Sequence, residues 1–217
     1  MKILRAVFLI TLVSLMLPVE LYARDDWQYW NMVQLQGKLH EKWAVRAHGE
    51  QWLTNDFSRI SLNNVEAGFL WKPFSFFEAG PFYRYQYTDA PKGPNVGENR
   101  YTIEASLRFR ANAWEFSDRN RVEFRETTQR NFWVYRNQMR LAYHCKIKNT
   151  PLLPYISEEL FQRGDGTGIN ENRAAAGIQM RFHKHFGLTL FYLIRHTKGK
   201  PDWKSDQVMG TTFQIYI

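Results

Sequence analysis

The sequence predicts an all-β protein, specifically an antiparallel up-and-down transmembrane β-barrel of ten to twelve strands. Three observations support this prediction: apolar and polar residues alternate through most of the chain, short and long connections alternate, and aromatic residues gather near strand ends. Helical periodicity is nearly absent. Together these features favour a barrel in a membrane over a sheet that packs in water.

The clearest alternation lies between residues 100 and 110. One face of this strand is apolar and consists of Tyr101, Ile103, Ala105, Leu107 and Phe109. The other face is polar or charged and consists of Arg100, Thr102, Glu104, Ser106, Arg108 and Arg110. Successive strand residues point to opposite faces of a sheet. A soluble sandwich would bury the apolar face, whereas a membrane barrel turns it to lipid and keeps the charged face around its axis.

The same alternation predicts about eleven strands, at residues 27–37, 42–53, 59–71, 74–87, 99–110, 113–126, 131–147, 153–162, 171–182, 186–196 and 206–217. Short turns are expected near 39–41, 72–73, 111–112, 149–150 and 183–185, and longer loops near 55–58, 88–98, 129–130, 163–170 and 198–205. Long loops at one rim are typical of outer-membrane barrels. An odd count makes the first and last strands run in the same direction, whereas bacterial single-chain barrels have even numbers, so the N-terminal topology stays open.

The N-terminus has the parts of a secretory signal peptide. Basic residues precede an apolar run at residues 6–17, and cleavage is expected after Ala23. We therefore predict a signal peptide at residues 1–23 and a single outer-membrane β-barrel domain at 24–217. No later segment is long and apolar enough for a transmembrane helix. The predicted location is the bacterial outer membrane.

Composition narrows the classes of partner. The formal charge is +8, and the only cysteine, Cys145, excludes an internal disulfide. Nucleic-acid binding has little support, because the chain has no basic helix and no recognisable binding module. For an exported protein whose charges lie within strands, a positive excess favours small anionic solutes as partners.

Aromatic residues support the membrane assignment. Tyr, Trp and Phe make up 16% of the chain, and many lie on apolar faces toward strand ends, where they form girdles at the two bilayer interfaces. The last strand places Phe213, Ile215 and Ile217 on one face, similar to the C-terminal signature by which outer-membrane barrels are recognised for assembly. The expected partners are therefore the lipid bilayer, lipopolysaccharide and the assembly machinery, and the expected state is a monomer.

If the apolar faces point to lipid, arginine dominates the faces that line the interior. Its permanent charge and planar fork of donors suit carboxylate and phosphate groups. The candidate lining residues are Arg84, Arg100, Glu104, Arg108, Arg110, Arg119, Arg121, Glu123, Arg125, Arg136, Arg140, Arg173 and Arg181. The same alternation places Arg46, Glu66 and Arg195 inside. It does not decide which of Glu158 and Glu159 points inward.

Two interpretations of this interior compete. Arg and Glu could pair across it and plug a structural barrel, or surplus arginine could line a path for small anionic solutes. The bore widens with strand number, so ten strands favour the plug and twelve allow a narrow channel.

A lipid-modifying enzyme with a Ser/His/acid set at the rim is a third alternative, and a soluble β-sandwich is a fourth. No local motif marks a nucleophile and its base. His183 and His185 lie two apart in a turn, which suggests solvated residues because no third metal ligand is evident. We predict no catalytic residue, metal site or cofactor.

Short motifs resemble the bacterial family called domain of unknown function 2490. They are Trp30, Arg119–Arg125, Tyr135–Leu141, Pro154–Phe161, and Asn172-Arg173 followed by Gly177. The resemblance extends over essentially the whole chain after the signal peptide. It implies a Gram-negative outer-membrane β-barrel and brings no biochemical activity with it. In general pattern, the arginine-lined interior is also similar to small monomeric porins for acidic oligosaccharides.

Overall fold

A computed structural model describes residues 26–91, 93–199 and 203–217. Their regular structure is entirely β: β1 (Asp26–His40), β2 (Trp43–Thr54), β3 (Arg59–Phe74), β4 (Phe77–Thr88), β5 (Val96–Ala111), β6 (Trp114–Thr127), β7 (Asn131–Tyr143), β8 (Cys145–Ile147), β9 (Thr150–Arg163), β10 (Gly168–His183), β11 (Phe186–Lys198) and β12 (Trp203–Tyr216). The predicted signal peptide, residues 1–23, lies outside the described residues. The described residues include no helix that could cross a membrane.

The strands form one closed barrel. Neighbouring strands pair antiparallel from β1 to β7, and β7 and β8 both pair with β9. The short β8 follows β7 after a break at His144, so the two occupy one position, and the single strand predicted at 131–147 is divided there. Strands β9 to β12 continue antiparallel, and β12 pairs with β1. The result is an eleven-stranded barrel, within the predicted range of ten to twelve.

The closing pair is parallel. Residues Asp26–Gln36 pair with Asp206–Tyr216, and the Ile217 N–H donates to the Gln36 carbonyl at 3.0 Å. An odd number of alternating strands brings the first and last strands together in the same direction. The up-and-down antiparallel prediction therefore holds for every pair except this one. The closing pair also decides the direction of the first strand. Both β1 and β12 run from the rim with the longer connections to the rim with the tight turns.

Two rims differ in their connections. Tight turns at 41–42, 75–76, 112–113, 148–149 and 184–185 form one rim, and the longer connections form the other. The turn predicted at 72–73 lies instead at 75–76, because β3 continues through Pro73 to Phe74, which pairs with Phe77. The register shifts between Trp71 and Phe74, and proline is tolerated at such an irregularity because its missing N–H is not needed there.

Alternation separates the two faces of the barrel wall. Ile103 is 62% exposed on the outside, whereas its neighbour Glu104 is completely buried inside. Exposed aromatic side chains gather toward the turn rim at Trp43, Trp71, Phe74, Trp114 and Phe186, and toward the loop rim at Trp27, Tyr87, Trp133 and Trp203. Two such girdles are typical of a transmembrane barrel.

Candidate functional site

One side of the interior is filled by ion pairs, and we call the inward faces of β3 to β7 the ionic wall. Glu66 on β3 is 1% exposed and accepts hydrogen bonds from Arg84 Nε at 2.8 Å and Arg121 Nη2 at 2.7 Å. Glu104 on β5 accepts two bonds from Arg46 Nη2, each at 2.8 Å. Parity places these groups inside, and register sets Glu66 directly opposite Arg84, whereas Arg121 and Arg46 reach their carboxylates across the interior.

Glu123 is the most heavily paired carboxylate of the ionic wall. It is completely buried and accepts a hydrogen bond from Arg136 Nη1 at 2.7 Å and bonds from Arg125 on its own strand. Arg100 Nη1 and Arg121 Nε lie 3.4 and 3.6 Å from its oxygens. Four guanidinium groups therefore surround one carboxylate, and three of them also contact a second carboxylate: Arg100 contacts Glu98, Arg121 contacts Glu66 and Arg136 contacts Glu159.

Two more carboxylates continue the network across β9 and β10. Glu159 accepts from Arg136 Nη2 at 2.8 Å and Arg119 Nη2 at 3.0 Å. Glu171 accepts from Arg173 Nε at 2.6 Å and Arg195 Nε at 3.0 Å. Ion pairs thus reach from one side of the barrel to the other.

The opposite side of the interior also holds an apolar cluster, and we call Trp30 on β1, Trp52 on β2, Leu193 on β11 and Val208 on β12 the tryptophan wall. Trp30 and Trp52 stack with ring centroids 3.9 Å apart and planes within 4°. Leu193 and Val208 pack against them, and the Arg173 guanidinium lies over the Trp30 ring at 4.9 Å. Stacked rings and a cation over a ring face both stabilise such a cluster.

A cavity of about 550 Å³ lies between the two walls. It reaches from Thr54 and Thr88, near the loop rim, to Gln34 and Gln214, nearer the turn rim. Arg140 also lines it. The cavity therefore follows much of the height of the barrel beside the ionic wall.

Arg140 differs from the other arginines that line the cavity. Its Nη2 donates to Gln179 Oε1 at 3.2 Å, and its guanidinium lies 4.0 Å from the centroid of the Tyr155 ring. Within the described part of the chain, no carboxylate forms an ion pair with it. Arg140 consequently presents a positive charge to the cavity that no carboxylate pairs directly.

The predicted lining residues fall into two groups. Ten lie in the network or on the cavity: Arg84, Arg100, Glu104, Arg119, Arg121, Glu123, Arg125, Arg136, Arg140 and Arg173. The other three, Arg108, Arg110 and Arg181, are exposed near the turn rim. Arg110 Nε donates to the Asn112 carbonyl at 3.3 Å and Arg181 Nη2 to the Lys184 carbonyl at 2.6 Å, both local contacts with turn residues.

Sequence reasoning missed Glu171 and the tryptophan stack and left one acid undecided. Glu171 shares the inward face of β10 with Arg173, so parity could have found it. Trp52 shares the inward face of β2 with Arg46, and Trp30 lies on the face of β1 opposite to that of Trp27, so parity could have placed both rings inside. Their stacking depends on the register that sets Trp30 directly opposite Trp52. Glu159 is the inward acid at 4% exposure, and Glu158 points outward.

The histidines form no evident catalytic set. His144 Nε2 lies 2.9 Å from Glu115 Oε2, and the buried His48 lies beside Arg84 in the ionic wall. Among the residues that the structure describes, no hydrogen bond joins a histidine to a serine hydroxyl, although Ser205 is directly opposite His196, and no cluster of His, Cys, Asp and Glu has the arrangement of a metal site.

Comparison with known proteins gives a family. The family model of DUF2490, a protein of unknown function, matches residues 27–206. The chain belongs to the DUF2490 family. This membership confirms the resemblance found in the sequence motifs. No curated protein matches the chain.

Solved structures similar to this DUF2490 protein include two autotransporter domains. The β domain of the Bordetella autotransporter BrkA is 11% identical, with a TM-score of 0.50 over 79% of this chain and 80% of that chain. The translocator domain of the autotransporter NalP from Neisseria meningitidis is 11% identical, with a TM-score of 0.42 over 79% of this chain and 74% of that chain. At this identity, the likeness to the BrkA domain shows a common barrel fold and nothing about activity.

Proposed function

We propose that this barrel resides in the bacterial outer membrane and that its cavity binds small anionic solutes and passes them between the rims. The membrane assignment is supported by the apolar outer face, the two aromatic girdles and the fold shared with the BrkA β domain. Fractionation tests it. Recovery in the detergent-solubilised outer-membrane fraction supports the assignment, whereas release by osmotic shock contradicts it.

The observation that carries the solute proposal is Arg140. Its charge faces a cavity of about 550 Å³, a volume within the range of small-molecule sites, roughly 300 to 1,000 Å³. Guanidinium groups bind carboxylates and phosphates through parallel hydrogen bonds. Gln138, Gln179 and Gln214 also line the cavity and offer amide donors and acceptors for the neutral parts of a solute. A small molecule that carries a carboxylate or phosphate fits this lining best.

A second candidate is a plugged structural barrel, and the ionic wall favours it. Glu66, Glu104 and Glu123 are almost inaccessible, which supports a filled interior on this side. The two candidates differ only in whether the cavity connects the rims to water, and conductance measures that directly.

The deciding experiment records the purified protein in planar bilayers under a salt gradient. We expect small steps of current and a reversal potential that indicates preference for anions. Arg140→Gln should lower the ratio of anion to cation permeability by roughly twofold, because the removed charge faces the path. The matched control is Arg108→Gln, since Arg108 is exposed at the turn rim. It should leave the ratio almost unchanged.

Three outcomes contradict the solute proposal. A silent protein favours the plugged barrel, and preference for cations reverses the proposed selectivity. An equal change for the Arg140 and Arg108 variants would show that general charge, and not the cavity, sets the permeability ratio.

A further inference from the structure

The outer wall carries a group of polar side chains within its apolar belt. We call Asp118 and Asn120 on β6, Asn137 on β7, Glu158 on β9 and Asn172 on β10 the outer polar patch. Parity determines their direction: Arg119 and Arg121 face inward, so residues 118 and 120 face outward. Register brings the strands of the patch together, since Asn120 pairs with Asn137 and Asn172 pairs with Leu160.

The outer polar patch does not lie at a rim. Along their own strands, outward apolar residues stand on both sides of its members: Phe116 and Val122 on β6, Tyr135 and Met139 on β7, and Ile156 and Leu160 on β9. Such flanking places the patch within the depth of the hydrocarbon.

The members of the patch hydrogen-bond to one another. Asn137 Nδ2 donates to Asp118 Oδ1 at 2.6 Å, and Asn120 Nδ2 donates to Asp118 Oδ2 at 3.2 Å. Asn172 Nδ2 donates to Glu158 Oε1 at 3.0 Å. Amide donors alone therefore solvate the two carboxylates, because no arginine or lysine among the described residues forms an ion pair with either. Carboxylates directed at lipid are costly, and ionisable residues within membranes almost always face protein or a water-filled cavity.

We propose that a second copy of this chain covers the outer polar patch, in place of the monomer expected from the sequence. The patch is self-complementary, because it holds both carboxylate acceptors and amide donors. In the bonds described above, Asn120 and Asn172 each use one amide hydrogen and keep another, and each carboxylate keeps unused lone pairs. Contacts between identical patches close a two-fold dimer.

The geometry of a membrane dimer pairs these groups correctly. A two-fold axis along the membrane normal through β7 keeps both copies in the same orientation and sets β6 of one copy opposite β9 of the other. Residues that are paired across neighbouring strands form rows that run obliquely around the barrel. One row begins at Phe77 near the turn rim and ends at Trp27 near the loop rim, so a row lies closer to the loop rim on β9 than on β6. Asp118 and Glu158 share this row, and Asn120 lies two residues closer to the loop rim than Asp118. Asn120 and Glu158 therefore lie at similar depth, and each Asn120 faces the Glu158 of the other copy.

Small side chains around the patch permit close approach. Ala105 is opposite Asn120, Ala174 is opposite Glu158, and Ala176 is next along β10 on the outward face. Small residues are enriched where membrane segments pack, because they let backbones come near one another.

The test uses cross-linking in outer-membrane vesicles with one cysteine per chain. Cys145→Ser removes the native thiol, and Met139→Cys adds one next to Asn137 on β7. Packed sheets lie about 10 Å apart, so a short bismaleimide is a better probe than a disulfide. The matched control is Val33→Cys on β1, outward in the same belt and 46% exposed, across the barrel from β7. We expect a cross-linked dimer several times more abundant for Met139→Cys than for Val33→Cys.

A second variant tests the chemistry of the contact. In the Met139→Cys background, Asn120→Leu with Glu158→Leu should reduce the dimer several-fold, whereas Asn31→Leu, an outward change on β1, should leave it unchanged. Folding of each variant is checked by its mobility on unheated gels. Absence of a dimer for Met139→Cys, equal yields at the two cysteine positions, or a cross-link to a protein of different mass would overturn the proposal.

Discussion

The ionic wall and the tryptophan wall fill the same barrel by different means. In the ionic wall, Glu66, Glu104 and Glu123 are buried, and each contacts at least two arginines. In the tryptophan wall, Trp30 and Trp52 stack on aliphatic neighbours. The difference shows that one closed barrel can fill part of its interior with charge, where carboxylates and guanidinium groups meet, and another part with apolar side chains.

The two walls should respond differently to substitution. A buried ion pair adds little net stability over an apolar filling, but removal of one partner leaves a buried charge uncompensated. A buried aromatic stack instead contributes through apolar burial and packing, so its loss creates a cavity. The cavity between the two walls is the proposed path for anionic solutes, so the contrast between the walls also bears on the proposed function.

The largest expected effect is in the ionic wall. Glu123→Ala removes the carboxylate that Arg100, Arg121, Arg125 and Arg136 share, and we expect it to lower the free energy of unfolding by about 3 to 5 kcal/mol. Urea unfolding in lipid vesicles, followed by tryptophan fluorescence, measures the change.

The control for this variant is Glu126→Ala on the same strand. Glu126 forms no ion pair with any described residue, so its removal should cost about 0.5 kcal/mol or less. Equal losses for the two variants would mean that the network of Glu123 does not stabilise the barrel in the way described.

The next effect is in the tryptophan wall. Trp30→Ala removes a side chain that is 3% exposed, and we expect a loss of about 3 kcal/mol in the free energy of unfolding. The same change enlarges the interior, so the single-channel conductance should rise. Trp27→Ala, an outward change on the same strand, should lose less than half as much stability and leave conductance unaltered. An unchanged conductance for Trp30→Ala would show that the tryptophan wall does not border the solute path.

The smallest effect concerns packing at Gly177 on β10. A Cβ there would lie 2.7 Å from both the Leu190 carbonyl oxygen and the Tyr155 hydroxyl, so Gly177→Ala should cost about 1 to 2 kcal/mol. At Gly49 the nearest atom to an added Cβ is 3.8 Å away, and Gly49→Ala should be nearly neutral. The same unfolding assay compares them, and a neutral Gly177→Ala would show that this contact relaxes freely.

Much of the interior could be predicted because parity is a local property. Glu104 and Glu123 were assigned to the inward face from their own strands, and both are completely buried. Parity shows which face a residue is on, but it does not show where a strand extends beyond the enclosed interior. Arg108, Arg110 and Arg181 continue the alternation but lie so near the turn rim that no opposite wall encloses them. The turn predicted near Pro73 was misplaced because a proline normally ends a strand. Here the register shift between Trp71 and Phe74 accommodates the proline, and β3 continues past it.

The sequence by itself determined the all-β class, the approximate strand number, the direction of most side chains and the family. The tertiary structure decided the parallel closure of β1 on β12, the partner of each arginine, the stacking of Trp30 on Trp52, and the outward position of Glu158. Alternation depends only on neighbours in the chain, whereas contacts across the interior depend on the register that every strand adopts when the barrel closes.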